Sequence, residues 1–121
     1  MVSLDEARRK ANAWCAAWNK RDLDAIMSHY AEDVAFSSPT VAARWGFADG
    51  WLYGRAKLRE NFAIGVKAPE LHFELIDVLL GMNAMCVVYR RESGMLVCDL
   101  VEFDEQGHGK RVFACYGHPQ A

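Results

Sequence analysis

The sequence predicts an α+β domain, with helices gathered on one face of a strongly bent antiparallel sheet to make a cone with an open end. Three observations carry this. Ala7, Ala11, Trp14 and Trp18 recur at spacings of four, three and four, the buried stripe of an amphipathic helix. From Leu71 to Tyr116 the chain reads as four strands joined by short turns, an antiparallel meander. Within it, Met95–Phe103 is apolar on both faces, the pattern of a central strand covered on both sides. The length of 121 residues suits a single domain, 1–121.

Taken in order, Ser3-Leu-Asp-Glu6 fits a capping box and opens the first helix, which ends near Asn19-Lys20-Arg21. Asp22 caps a second helix, with Leu23, Ile26, Met27 and Tyr30 inward and His29 on its flank, closing at Glu32-Asp33. Val34–Ser38 is a short strand in which Val34, Phe36 and Ser38 share a face, and Pro39 ends it. Thr40–Tyr53 is a long aromatic-rich connection, either a packed lid or oligomer contact, or a binding loop. Arg44 and Trp51 on it either meet a ligand or cap the core. Gly54–Gly65 is a third helix with Leu58 and Phe62 inward. Leu71–Leu80 alternates as a strand and slips near Asp77, the sign of a bulge that helps bend the sheet. Ala84–Arg91 follows, then the Glu92-Ser93-Gly94 turn and the central strand. A turn over Asp104–Gly109 precedes the last strand, Lys110–Tyr116, and the tail Gly117–Ala121 reads as frayed. Gly107-His-Gly-Lys110 lacks the spacing of a phosphate loop and belongs to the hairpin.

Asp99 stands out. Odd positions of the central strand put Met95, Val97, Asp99, Val101 and Phe103 on one face. A carboxylate in the middle of that face is costly unless it is paired, hydrogen-bonded or protonated. It is either a structural Asp bonded to a Trp or Tyr, or an ionisable group at the floor of an apolar pocket. Tyr53, Tyr89 and Tyr116 offer hydroxyls to hold it. His29 is the alternative base, if it turns inward. Trp14, Trp18, Tyr30, Phe36, Phe62 and Phe73 are core residues, of which one or more line the pocket mouth. His118, near the chain end, carries little weight.

Composition narrows the function classes. Hydrophobic residues make up 52% and charged residues 25%, with a net charge of −2, which describes a globular protein without a basic patch. Nucleic-acid binding is disfavoured. No apolar run approaches membrane-spanning length, and Met-Val-Ser-Leu-Asp-Glu-Ala is no signal peptide, so a cytoplasmic location is expected. The four cysteines, Cys15, Cys86, Cys98 and Cys115, form no Cys-x-x-Cys pair and read as reduced, buried thiols. No metal-ligand spacing links them to the histidines, so no metal is expected.

Three segments resemble the NTF2-like superfamily, in particular its SnoaL-like branch. They are Trp14-Cys-Ala-Ala-Trp-Asn-Lys-Arg-Asp-Leu-Asp-Ala-Ile-Met-Ser-His-Tyr-Ala-Glu-Asp-Val-Ala-Phe-Ser-Ser-Pro39, then Tyr53-Gly-Arg-Ala-Lys-Leu58, and Asp99-Leu-Val-Glu-Phe-Asp-Glu-Gln-Gly107 with Tyr116 downstream. The resemblance implies an NTF2-like cone, a strongly curved antiparallel sheet wrapped around about three helices of the N-terminal half and enclosing an apolar pocket. By register with the ketosteroid isomerase branch, the general-base position falls on Ser38, before Pro39, and the oxyanion-binding tyrosine position on Trp14. The protonated aspartic acid position falls on Asp99. SnoaL-like cyclases also use an inward carboxylate, again implying Asp99.

Together these expectations describe a small-molecule pocket protein. One form is a cofactor-independent isomerase, cyclase or dehydratase acting on an apolar carbonyl compound. Asp99 is then the acid or base, with Ser38 and His29 as secondary catalytic candidates. The ligand-contact candidates are Trp14, Trp18, Tyr30, Phe36, Trp51, Tyr53, Phe62 and Tyr116. No cofactor is implied. The alternatives are a non-catalytic ligand-binding or dimerisation module and a regulatory protein–protein module. Leu96, Cys98 and Leu100, with Cys86 or Val88, form an apolar patch on the outer sheet face. That patch and the resemblance together imply a homodimer packed sheet to sheet.

Overall fold

The structure, a computed structural model, describes residues 2–117; the frayed-tail expectation for 118–121, with His118, lies outside the described residues. The first helix, α1 (Leu4–Asn19), starts where Ser3 Oγ accepts the Glu6 N–H at 3.1 Å. Such a cap is worth about 1 kcal/mol. Asp5 and Glu6 add favourable charge at its N-terminus. The predicted stripe of Ala7, Ala11, Trp14 and Trp18 is buried. Two small residues followed by two indoles let the helix approach the sheet at one end and fill the cone at the other.

The second helix, α2, is only Leu23–Met27, although the Asp22 cap forms as expected. It does not continue to Glu32-Asp33. Gly109 N donates to His29 O at 2.8 Å, and Tyr30 pairs with Gly109, so the chain leaves the helix to join the sheet as β1 (Tyr30–Ser37). Tyr30 follows Leu23, Ile26 and Met27 at helical spacing; the distant strand decides the outcome.

The expected Thr40–Tyr53 connection is structured. Ser38 Oγ accepts from Thr40 N at 3.1 Å, Pro39 occupies the first turn, and Gly46 closes the helix α3 (Pro39–Trp45) in the left-handed conformation at φ 73°. Proline at a helix start and glycine just past its end are the usual punctuation. An edge strand, β2 (Trp51–Tyr53), then pairs antiparallel with β1. The described residues therefore form four helices, with α4 at Arg55–Gly65.

The meander follows as β3 (Phe73–Leu80), β4 (Ala84–Arg91), β5 (Leu96–Phe103) and β6 (Gly109–Tyr116). β3 begins two residues later than the alternation from Leu71 predicts, and its register shifts between Leu75 and Asp77, at the predicted bulge. A second shift lies between Glu102 and Phe103. The curved, unclosed six-stranded sheet has the order β2-β1-β6-β5-β4-β3. Its pairs are antiparallel except β1 with β6, which are parallel.

α1 lies against β3, and α4 against β1 and β2, on the concave face. On β5, Val97, Asp99 and Phe103 are buried toward the helices, as the alternation predicts. The other face corrects the reading of a strand covered on both sides. Leu96 and Leu100 are 38% and 39% exposed, because all the helices lie on the inner side. The cysteines are corrected likewise. All are free thiols, but only Cys15 is buried; Cys86 and Cys98 are half-buried and Cys115 is exposed. Cys98 and Cys115 face each other across β5 and β6 on the outward side. No helix among the described residues is long and apolar enough to cross a membrane.

Candidate active site

The bent sheet and the helices enclose a cavity of about 320 Å³. Its walls are aromatic. Trp18 stacks on Phe73 at 5.0 Å between centroids and meets Phe62 edge-on at the same distance; Phe73 in turn stacks on Tyr89 at 4.7 Å. Each such pair adds about 0.5–1.5 kcal/mol beyond area burial, which makes the wall rigid. Asp99 projects from β5 into this lining, 3% exposed.

The Tyr89 hydroxyl donates to Asp99 Oδ1 at 2.9 Å. Burial pushes the Asp99 carboxyl up to about 7, against smaller opposing effects from the Tyr89 hydrogen bond and the Arg91 guanidinium. The first effect wins because the carboxylate has lost its water while its hydrogen-bonding phenol is neutral and Arg91 is engaged elsewhere. Arg91 Nε and Nη2 each lie 3.0 Å from a carboxylate oxygen of Glu92. The result is a buried acid that changes charge near neutrality, the condition in which a carboxyl can serve as donor or as base.

Trp14, Trp18, Phe36, Phe62 and Tyr116 line the cavity, as expected of them. Tyr30 does not. It stands behind Trp14, whose Nε1 donates to the Tyr30 hydroxyl at 2.9 Å. That bond uses the indole N–H, so Trp14 offers the cavity its ring face. Ser38 is buried, but its hydroxyl caps α3 and lies 2.7 Å from Thr40 Oγ1; Thr40, not Ser38, lines the cavity. The Ser38 and Thr40 hydroxyls favour ionisation of the Tyr116 phenol, against a larger upward push from burial and Asp99. Trp51 and Tyr53 are elsewhere. Their rings stack on each other at 6.1 Å, and Trp51 packs edge-on against Phe113 of β6. β2 turns Leu52 into the core, so its neighbours on either side point away.

His29 lies on the opposite side of Asp99. A second, small cavity of about 30 Å³ is lined by Asp99 and Trp14 together with Lys10, His29, Tyr30, Met85, Val87, Val101 and Phe103. That is about the space of one water molecule. Burial, Lys10 and His108 all hold the His29 imidazole below its ordinary range.

Asn61 is a functional candidate that the sequence reading passed over. It is 2% exposed and lines the main cavity. Its Oδ1 accepts from Arg44 Nη1 at 2.7 Å and from Trp45 Nε1 at 3.1 Å. The signal was available: Asn61 occupies a core position of α4, three residues after Leu58 and beside Phe62. Among the described residues, no group of three or more His, Cys, Asp or Glu side chains is arranged to hold a metal ion.

The comparisons agree with this architecture. The SnoaL-like domain model matches residues 11–114. A SnoaL-like protein of unknown function from Burkholderia thailandensis is 32% identical, with a TM-score of 0.89 over 93% of this chain and 94% of its own. An NTF2-like protein of unknown function from Burkholderia xenovorans is 20% identical, with a TM-score of 0.76 over 98% and 88%. A provisionally named ketosteroid isomerase from Kribbella flavida shares the fold at 16% identity, with a TM-score of 0.74 over 98% and 82%. No curated protein matches. The match across most of the chain, together with the curved sheet closing over an aromatic cavity, shows that this chain belongs to the SnoaL-like domain family of the NTF2-like superfamily.

Proposed function

We propose that this chain binds a small apolar carbonyl compound in the main cavity and catalyses a cofactor-independent proton transfer on it, of the isomerase, cyclase or dehydratase type. The observation that carries this reading is Asp99, a buried carboxyl pushed up to about 7 at the floor of an aromatic cavity. Protonated, it donates a hydrogen bond to the carbonyl oxygen and stabilises the charge that develops there. Ionised, it removes a proton from the carbon beside the carbonyl. Both roles are favoured by the burial of Asp99 among aromatic side chains.

The test uses 2-decalone. Wild type should lower the carbonyl stretching frequency of the bound ketone and speed exchange of its α-protons with D2O. Asp99→Asn should abolish the exchange. A wild-type protein that neither binds 2-decalone nor any related apolar ketone would refute the reading.

A second reading is a non-catalytic binding module. Two polar groups at the isomerase-like positions are already engaged: the Ser38 hydroxyl in capping α3, and the Trp14 N–H on Tyr30. This reading predicts ketone binding without α-proton exchange. In either case we propose a homodimer through the convex sheet face, where Leu79, Leu96 and Leu100 are exposed. Sedimentation as a monomer at micromolar concentration would refute that assembly.

A further inference from the structure

We propose that Arg44 and Asn61 form a carboxylate-binding subsite on the cavity wall, so that the ligand is an apolar keto acid rather than a neutral ketone. This rests on the reading that Asp99 meets the ligand's carbonyl, and it names the ligand's other end.

The Asn61 side chain is oriented without ambiguity. Two donors converge on Oδ1, Arg44 Nη1 at 2.7 Å and Trp45 Nε1 at 3.1 Å, so the oxygen faces them and the amide nitrogen takes the other position. The NH2 group then has two protons to donate, and no protein acceptor takes them among the described residues. Asn61 is 2% exposed and lines the cavity, so the group it offers there is a pair of N–H donors. Accessible at the cavity, these donors are free to meet a ligand or water acceptor.

Arg44 stands beside it. Its guanidinium is fixed by two hydrogen bonds, to Asn61 Oδ1 and to Asn61 O at 3.1 Å. Both partners are neutral, and no carboxylate pairs with Arg44 among the described residues. A held guanidinium with its charge uncompensated is arranged for an oxoanion. Lys67 and Arg91 also line the cavity, and among the described residues the only acidic one that does so is Asp99. The cavity therefore has a carboxyl at its floor, aromatic walls, and on its lining the paired Arg44 and Asn61 donors with the further cations Lys67 and Arg91. A ligand complementary to all three has a carbonyl, an apolar body and a carboxylate.

The test compares 6-oxodecanoate with its methyl ester, following quenching of tryptophan fluorescence in the full chain. The keto acid should bind about tenfold more tightly than the ester, and added salt should weaken only the acid. Arg44→Gln, at an exposed side chain, should bring the two affinities within about twofold, chiefly by weakening the acid; Lys67→Gln should have a smaller effect in the same direction. Equal binding of acid and ester by wild type, or a preference for the acid that survives Arg44→Gln, would overturn the subsite. If acid and ester bind equally and 2-decalone still shows the Asp99-dependent exchange, only the subsite falls. If neither ten-carbon probe nor 2-decalone binds, the subsite and the pocket reading fall together.

Discussion

Tyr89 and Asp99 sit diagonally across two neighbouring strands, the hydroxyl 2.9 Å from the carboxyl oxygen. Asp99 is directly opposite Val87, and Tyr89 directly opposite Val97. The side chains thus reach each other along the concave face, and the phenol fixes the rotamer of the acid. Removing the bond in Tyr89→Phe should destabilise the fold by about 1–2 kcal/mol. It should also raise the Asp99 pKa further, because the Tyr89 hydrogen bond favours the ionised form. Carboxyl-carbon NMR titration of labelled aspartate reads this directly; an unchanged or lowered midpoint would contradict it.

The same carboxyl makes stability depend on pH. Its folded pKa, about 7, lies above the ordinary aspartate value of 3.8. The folded state therefore holds the proton more tightly, and stability falls as pH rises between these two values. The stabilising contribution is complete below pH 4 and lost above pH 7. Three units at 1.4 kcal/mol each set an order of magnitude of about 4 kcal/mol. Urea unfolding of wild type should show this decline, and Asp99→Asn should flatten it. Parallel pH profiles for the two proteins would contradict the assignment.

Ser38 separates capping from chemistry. Ser38→Ala removes the acceptor for Thr40 N and should cost about 1 kcal/mol of stability. It should leave the Asp99 titration midpoint within a few tenths of a unit, since no hydrogen bond joins the two side chains among the described residues. A large change in that midpoint would place Ser38 in the ionisable network.

On the far side of Asp99, Lys10 holds down the His29 pKa, after burial and ahead of His108. Lys10→Gln should raise that pKa toward its ordinary value of 6.5, because a neighbouring cation disfavours the imidazolium. Proton NMR of the imidazole ring measures it. A His29 pKa that stays put would show that Lys10 does not hold it down.

Where the sequence reading went astray, the cause was pairing at a distance. Leu23, Ile26, Met27 and Tyr30 recur at helical spacing, and pairing with Gly109 of β6 starts the strand at Tyr30 rather than at Val34. The connection after Ser38 differs, because its helix was marked by Ser38-Pro39 and Gly46. Trp51 and Tyr53 looked like pocket residues by type, but the alternation of β2 sends its middle residue, Leu52, inward. Asn61 was hidden by its chemistry, since a polar residue on a helix reads as solvated unless its neighbours Leu58 and Phe62 are allowed to place it on the buried stripe.

The sequence by itself determined the α+β class, the α1 stripe, the four-strand meander with its bulge, and the inward placement of Asp99. Each follows from local periodicity and turn chemistry, which act within a few residues. The tertiary structure alone decided that Tyr89 holds Asp99, that Trp14 bonds Tyr30, that His29 faces a separate small cavity, and that Arg44 and Trp45 turn the Asn61 amide. Those contacts join residues 10 to 17 positions apart, or belong to different elements, and their geometry comes from how the sheet bends over the helices.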